Sequence, residues 1–205
     1  MSYGRHIHIT GPARSGTTLM KNLMHCYLGT FVTLEERHPS LDLPRRINIT
    51  KYPEDGPELY EEYPGLNVIY MARDPRDMYV SRLGEWRWWH DRVSREPGLF
   101  GSKVDDFLAL AQDRRTFVVY YEELVSDPDR IQQEIADRFY LQEQHPFSDG
   151  HRWFLKERGL GVVRSPSTDS IGAWRRDENI GIVKQWMRSD PGVSRYIQAM
   201  GYEGA

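Results

Sequence analysis

The sequence predicts an α/β fold in which helices cover both faces of a mainly parallel sheet of about five strands. Two observations lead to this prediction. Short apolar or alternating runs recur along the chain, and helical patterns fall between them. With 205 residues, the chain is long enough to bury one sizeable core. We therefore expect a single domain over residues 1–205.

Five segments are predicted as strands. Two of them, Asn67–Met71 and Thr116–Tyr120, are continuous apolar runs, which are typical of the buried central strands of parallel sheets. The other three are shorter or more polar, and they cover Arg5–Thr10, Thr30–Leu34 and Arg46–Thr50.

Helical patterns lie between these strands, at 17–28, 57–63, 75–93, 103–113 and 128–140. An Asp-Pro pair at 74–75, 127–128 and 190–191 marks three helix starts. In each pair the aspartate is suited to the N-cap, and the proline is suited to the first helical position. The Gly-, Ser- and Pro-containing stretch 158–174 is predicted to be a long loop, and loops of that length often have a function.

The segment from Gly11 to Thr18 lies between the first predicted strand and the first predicted helix. A strand, a glycine-bounded loop and a helix in this order can cradle a phosphate with backbone N–H groups. The spacing fits the nucleotide-binding pattern GxxxxGK[ST], except that Thr17 replaces the lysine and the loop carries Arg14 as its cation. A phosphate-bearing donor other than ATP or GTP is therefore favoured.

Polar residues follow each predicted strand, at the edge where open α/β sheets bind their ligands. If the strands are parallel, these residues converge on one crevice: Arg14, Glu35, Glu36, Arg37, Lys51, Arg73, Tyr121 and Glu122. Arg73 stands where an ATPase would need a carboxylate for Mg²⁺. Together with Ser81, two turns into the next helix, it is suited to a second phosphate.

Composition limits the classes of partner. The net charge of −3 gives no argument for nucleic acid or an anionic membrane, and no apolar run is long enough for a membrane span. The single cysteine, Cys26, suits a reducing, cytoplasmic location and a packing role. His6 and His8 alternate on the first strand and are predicted to pack on one face, and the histidines show no metal-binding spacing.

Four segments resemble the sulfotransferases that use 3′-phosphoadenosine 5′-phosphosulfate (PAPS). They are GPARSGTTLMKNL at 11–23, IYMARDPRDMYVSRL at 69–83, VVYYEELVSDPDRI at 118–131 and IGAWRRD at 171–177. Their order along the chain is the order in that family. The resemblance implies sulfuryl transfer from PAPS, without a metal, to leave 3′-phosphoadenosine 5′-phosphate (PAP).

The resemblance also implies roles for individual residues. Arg14 would stabilise charge on the departing phosphate. The 5′-phosphosulfate would be held by Arg14, Ser15, Gly16, Thr17 and Thr18, the 3′-phosphate by Arg73 and Ser81, the adenine by Tyr121, and the closing of the donor site by Arg164 and Arg175.

On the acceptor side, Lys51 resembles the family's basic residue after the third strand, and Glu36 resembles a catalytic glutamate after the second. Glu35 stays open as the alternative to Glu36. The acceptor is expected to be a hydroxyl or amine on a small molecule, glycan or peptide. Trp86 and Trp89 are predicted to pack in the core, whereas Trp88 is free to line an acceptor pocket or a protein contact.

Two other functions stay open on the sequence. A catalytically silent PAPS-binding module would keep Arg14 and Arg73 but would lack a working base. A small-molecule kinase would share the fold, but it would need a loop lysine and a Mg²⁺ carboxylate.

Overall fold

The protein is described by a computed structural model that covers residues 5–40, 46–82, 98–150 and 166–202. Its centre is a sheet of five parallel strands in the order β2-β3-β1-β4-β5. The strands are β1 (Arg5–Thr10), β2 (Thr30–Val32), β3 (Ile47–Lys51), β4 (Asn67–Ala72) and β5 (Thr116–Tyr120). The predicted three-layer α/β architecture is confirmed.

The predicted strands agree closely with the observed ones. β1 and β5 have the predicted bounds, and β4 is one residue longer. β3 is shifted by one residue, so Lys51 is its last member rather than the first residue after it. β2 ends at Val32, two residues before the predicted end.

The helices before β5 are α1 (Thr17–Leu23), α2 (Leu59–Glu62), α3 (Pro75–Arg82), α4 (Leu99–Ser102) and α5 (Val104–Gln112). Those after it are α6 (Tyr121–Ser126), α7 (Pro128–Phe139), α8 (Asp177–Ser189) and α9 (Pro191–Ala199). Single 3₁₀ turns cover Met24–Cys26, Phe147–Asp149, Thr168–Ser170 and Ala173–Arg175. The turn Thr168–Ser170 lies within the predicted long loop, and the turn Ala173–Arg175 overlaps its end. The earlier part of that loop, 158–165, lies outside the described residues.

The first helix is shorter than its pattern predicts. The pattern runs to residue 28, but the helix gives way to the 3₁₀ turn after Leu23. Beyond that turn, the N–H of Leu28 donates to the carbonyl of Gln142 at 2.8 Å, and the N–H of Gln144 donates to the carbonyl of Cys26 at 2.8 Å. Backbone pairing with a distant segment therefore replaces the last helical turn.

The three Asp-Pro helix starts are confirmed. Asp127 accepts the backbone N–H of Arg130, and Asp190 accepts that of Gly192 at 3.1 Å. Asp74 likewise accepts the backbone N–H of Arg76 at 2.9 Å. Each aspartate thus binds an N–H group that the first turn of a helix leaves without a partner.

Side chains on the two faces of the sheet alternate into two cores. Ile69 and Met71 of β4 pack on the side of α1 and α7, whereas Val68 and Tyr70 pack on the side of α3, α5 and α9. Cys26 lies in the first core, and burial raises the pKa of its thiol to about 12, which fits a packing role. Among the described residues, none of the helices combines the length and the hydropathy needed to cross a bilayer.

Candidate active site

The loop between β1 and α1 is shaped by two glycines and one strained arginine. Gly11 has φ 140°, and a Cβ there would lie 2.4 Å from the carbonyl oxygen of Met71. Gly16 has φ 101°, and a Cβ there would lie 2.6 Å from Cδ2 of Tyr121. Only glycine fits these two positions. The loop is therefore pressed against the ends of β4 and β5.

This loop and the first turn of the helix after it carry several polar groups. Ser15 is fully buried, and its hydroxyl has no hydrogen-bond partner among the described residues. The first turn of α1 begins at Thr17, and such a turn leaves its N–H groups unpaired. Thr18 is exposed and its hydroxyl points toward β3, where it accepts from Nζ of Lys51 at 3.1 Å. The loop thus presents N–H and hydroxyl donors of the type that bind phosphate oxygens.

Arg14, Arg73 and Ser81 are brought together by the ends of β1, β4 and α3. Arg14 has φ 73°, and its Nε donates to the hydroxyl of Ser81 at 3.1 Å. Nη1 of Arg73 donates to the backbone carbonyl of Arg14 at 3.0 Å. In this structure the side chain of Arg14 is therefore directed to the segment predicted to bind the 3′-phosphate, although it was predicted to contact the 5′-phosphosulfate.

The two guanidinium groups concentrate positive charge at this point. Partial burial and the charge of Arg73 lower the pKa of Arg14. No carboxylate of the described residues lies within ion-pair distance of either arginine. An anion is the chemical species that this arrangement would bind.

Tyr121 links the loop to Arg73 and to the C-terminal part of the chain. Its ring lies under the guanidinium of Arg73, with 4.1 Å between the ring centroid and Cζ. Its hydroxyl is 3.0 Å from Oγ of Ser170, and Nη2 of Arg73 donates to the carbonyl of Ser170 at 3.4 Å. The residue predicted to lie near an adenine therefore contacts Arg73, which in turn bonds to Arg14.

The 172–175 segment is fixed to α3. Asp77 accepts the backbone N–H groups of Gly172 at 2.7 Å and Trp174 at 3.0 Å. Trp174 is buried, and the guanidinium groups of Arg76 and Arg175 lie over its ring at 4.1 and 4.5 Å from the centroid. Arg175 is exposed beside this contact. The fourth predicted segment thus lies beside the second one, as expected for parts of one site.

Lys51 and Glu36 form an ion pair on the other side of the loop. Lys51 is only 2% exposed, and its ammonium group contacts the carboxylate of Glu36 and the hydroxyl of Thr18. Of the two neighbouring glutamates, Glu36 is the one that contacts Lys51, and the contacts of the described residues include no bond between Glu35 and Lys51. The short isolated bridge between Arg37 and Lys51 holds this segment against β3.

Several predicted positions lie outside the described residues. These are Arg164 and the cluster of Trp86, Trp88 and Trp89. No group of three or more His, Cys, Asp or Glu side chains within the described ranges has the arrangement of a metal site.

Sequence reasoning missed three residues that order this edge of the sheet. They are Asp77, Glu122 as a partner of α3, and Asp55 in the loop after β3. Glu122 accepts the backbone N–H of Asp74 at 2.9 Å and the hydroxyl of Tyr202 at 3.2 Å, and burial raises its pKa. The position of Glu122 just after a predicted strand indicated that it lies at this edge of the sheet. Nothing in the sequence around Asp77 and Asp55 indicates their distant partners.

Comparison with known proteins agrees with this geometry. The model of the sulfotransferase domain family matches residues 4–144, which is well over half of the chain. Among curated protein sequences, none matches the chain.

Solved structures of low sequence identity share the fold. A mouse sulfotransferase, SULT7A1, complexed with PAP superimposes with a TM-score of 0.63 at 14% identity, over 95% of this chain and 88% of that one. The sulfotransferase domain of a Synechococcus olefin synthase gives 0.59 at 12% identity, over 90% of this chain and 95% of that one. Retinol dehydratase in complex with androsterone and inactive cofactor PAP gives 0.54 at 15% identity, over 89% of this chain and 79% of that one. With the family model covering the phosphate loop, the Arg73–Ser81 segment and β5, the chain belongs to the sulfotransferase family.

Proposed function

We propose that this protein transfers the sulfuryl group of PAPS to a hydroxyl or amine acceptor, by in-line displacement and without a metal. The observation that carries the proposal is the meeting of Arg14, Arg73 and Ser81, where neither guanidinium group is in ion-pair contact with a carboxylate of the described residues. A donor with phosphates at both the 3′ and 5′ positions offers two anionic groups to this edge. The PAP complexes of the mouse sulfotransferase and of retinol dehydratase support the choice of donor.

The residues of the loop fit the 5′ end of such a donor. Gly11 and Gly16 let the loop pack against Met71 and Tyr121 where a Cβ would clash, and the hydroxyl of Ser15 is buried without a partner among the described residues. We assign Ser15, Gly16, Thr17 and Thr18 to this cradle. PAPS supplies a sulfuryl group that is activated by its bond to the 5′-phosphate.

Arg14, Arg73 and Ser81 would stabilise the negative charges of the donor during the reaction. As the sulfuryl group leaves, charge develops on a phosphate oxygen, and a preorganised cation there lowers the barrier. Arg14 is the loop cation that can reach this oxygen by rotating about its side-chain bonds. Arg73 and Ser81 would hold the 3′-phosphate, with Tyr121 at the base, and Arg164 and Arg175 would act in the segment that closes the site.

We assign Lys51 and Glu36 to the acceptor side of the proposed site, next to Thr18. The Lys51 ammonium group lies 3.1 Å from the Thr18 hydroxyl and can stabilise negative charge on the transferring group. A small hydroxyl-bearing molecule is the acceptor class that we favour over a glycan or peptide, with the androsterone complex of retinol dehydratase as support.

The proposal also covers the domain organisation and the cellular environment of the protein. We infer one catalytic domain over residues 1–205 and a reducing, cytoplasmic environment. Cys26 is buried in the core, and its raised pKa removes it from thiolate chemistry.

A thermal-shift titration with PAP tests the donor, with ATP and Mg²⁺ as the control for a kinase. Ligand at about 100 times its dissociation constant adds about 2.7 kcal/mol to stability, which is roughly 5–10 °C for a chain of this size. A shift with PAP alone supports the proposal. A shift with ATP and Mg²⁺ alone would overturn it, and PAP binding without turnover of PAPS would indicate a silent binding module.

A further inference from the structure

A row of hydrogen bonds outside the donor segments joins three histidines to one buried carboxylate. Asp55, in the loop after β3, has Oδ2 2.9 Å from Nε2 of His8 and Oδ1 2.9 Å from Nδ1 of His38. Its side chain is 8% exposed. No lysine or arginine within the described ranges forms an ion pair with it, so the imidazoles are its polar side-chain partners.

The donors and acceptors in this row can be assigned. An ionised carboxylate only accepts hydrogen bonds, so His8 Nε2 and His38 Nδ1 both carry protons. Burial lowers the pKa of His8, so its ring is neutral and its Nδ1 accepts from Oγ1 of Thr50 at 2.8 Å. Because Thr50 has one hydroxyl hydrogen, its oxygen in turn accepts from Nε2 of His6 at 2.8 Å. The whole row thus fixes the tautomer of each ring.

His38 is the member of the row that reaches solvent. Its side chain is 60% exposed, and its ring stacks on Tyr52 with 4.0 Å between centroids. Among the described residues, the titratable groups packed against it are Asp55, Tyr52 and, through Asp55, His8. With the proton on Nδ1, the lone pair is on Nε2, where no described residue forms a hydrogen bond. A histidine whose Nδ1–H is held by a buried carboxylate is well arranged to accept a proton at Nε2, since the carboxylate stabilises the resulting imidazolium.

The position of His38 is beside the acceptor side of the proposed site. Two residues before it, Glu36 bonds to Lys51, and the N–H of Arg37 donates to the carbonyl of Lys51 at 2.9 Å. Tyr52, on which the ring stacks, directly follows Lys51. His38 therefore lies at the same carboxyl edge of the sheet as the Lys51–Glu36 pair.

The Lys51–Glu36 pair is poorly suited to accept the proton itself. An ammonium group has no lone pair, and the carboxylate of Glu36 is already engaged by that ammonium group. A hydroxyl acceptor, however, must lose its proton as its oxygen bonds to sulfur. The imidazole of His38 supplies the lone pair that this ion pair does not.

We propose that His38 is the general base of the transfer reaction and that Asp55 is its positioning residue. This inference rests on the proposed function. The acceptor oxygen bonds to sulfur while the bond from sulfur to the 5′-phosphate oxygen breaks and leaves its electron pair on that phosphate. The hydroxyl proton passes to Nε2 of His38, and the imidazolium is stabilised by Asp55.

The decisive variant is His38→Asn, because the asparagine amide can take the place of Nδ1–H toward Asp55 while offering no imidazole lone pair. PAP formation from saturating PAPS is measured with water as the acceptor and with added 2-naphthol, and PAP affinity is measured by calorimetry. His145→Gln, a histidine away from this edge, is the matched control. His38→Ala is assayed with and without imidazole in the buffer.

We expect His38→Asn to slow PAP formation by about 10²-fold, with PAP affinity within about 3-fold of the wild-type value. We also expect the acidic limb of the pH–rate profile to disappear and added imidazole to restore part of the rate of His38→Ala. Asp55→Asn is expected to lower the rate as well, because it disturbs the tautomer of His38 without removing the ring.

Other results would count against the inference. In a wild-type protein that turns PAPS over, a rate for His38→Asn close to that of the wild type would overturn the role of His38. Wild-type protein that fails to bind PAP, or that binds PAP without turning PAPS over, would instead overturn the proposed function, so the two failures can be told apart.

Discussion

The carboxylate of Asp77 accepts the backbone N–H of Trp174 at 3.0 Å and joins two segments that are 97 residues apart in the chain. The same carboxylate binds the N–H of Gly172, and Asp77 is only 2% exposed. One side chain on α3 therefore fixes the C-terminal segment beside Arg73.

For this reason we expect Asp77→Ala to reduce the free energy of unfolding by about 2–4 kcal/mol, since two partly buried N–H groups lose a charged acceptor. PAP affinity should fall as well, because the 172–175 segment loses its attachment. Urea denaturation and calorimetry measure the two effects. Asp105→Ala, which removes an exposed carboxylate paired with Arg195, is the control; equal behaviour of the two variants would contradict the role of Asp77.

Arg73→Ala is expected to weaken PAP binding by about 2–4 kcal/mol, the scale for loss of a buried charged partner. Isothermal titration calorimetry gives the change directly. Arg115→Ala is a matched control, since Arg115 also stacks on a tyrosine, with 3.6 Å to the centroid of Tyr60, but it precedes β5 at the opposite edge of the sheet. Unchanged PAP affinity in Arg73→Ala would rule out Arg73 as a donor-binding residue.

Replacement of Lys51 by alanine should lower turnover far more than donor affinity. The ammonium group contacts Thr18 on the acceptor side of the loop, and loss of one such cation costs about 10²–10³-fold in rate. Turnover of PAPS and the dissociation constant of PAP are compared in the same preparation. An equal loss in both quantities would make Lys51 a binding residue only.

Gly16→Ala tests the close approach between the phosphate loop and Tyr121. A Cβ at Gly16 would lie 2.6 Å from the Tyr121 ring, in addition to the strain of φ 101°. Gly29→Ala is the control, because Gly29 has φ 74° but no heavy atom within 4 Å of the added Cβ. We expect both variants to lose about 1–2 kcal/mol from backbone strain, and Gly16→Ala to lose more and to bind PAP weakly. Equal melting temperatures would show that the ring moves aside without cost.

Acidification should destabilise the protein through His6. Burial, followed by the nearby His8 and Arg37, lowers the pKa of His6 from 6.5 to about 4. Between these values the unfolded chain binds a proton that the folded protein does not, so stability falls as pH falls through this window, by at most about 3 kcal/mol. Urea denaturation from pH 7 to pH 4 measures it. His6→Gln, which keeps a donor for Thr50, should make the free energy of unfolding less dependent on pH. An unchanged slope of this free energy against pH would mean that other groups cause the dependence.

Local patterns were sufficient to predict the sheet and much of the candidate site. The parallel arrangement follows from the alternation of strands and helices, and it brings Arg14, Arg73 and Tyr121 to one edge without any knowledge of their contacts. That Glu36 rather than Glu35 contacts Lys51 could be seen only in the structure, because it depends on how the backbone turns after β2. That strand also ends two residues before the predicted position.

The remaining contacts had no signal in the sequence. Asp77 binds N–H groups 95 and 97 positions away, and backbone donors carry no residue identity that a pattern could detect. Asp55 and His38 meet between two irregular loops, where neither helical nor strand periodicity applies. His6 and His8 were predicted to share a face, and both bond to Thr50, but their connection to a carboxylate depends on a loop fold that only tertiary structure defines.

The pairing of β1 with β4, in which Thr10 lies opposite Tyr70, has a consequence for how this protein can change over time. The loop between β1 and α1 starts one residue after Thr10, and Arg73 stands three residues after Tyr70, so main-chain bonds between the two strands set the distance between the two halves of the proposed donor site. Main-chain bonds do not depend on side-chain identity. Substitutions can therefore accumulate throughout both cores while these two segments keep their separation, which is how chains that share only 12–15% of their residues can superimpose over most of their length.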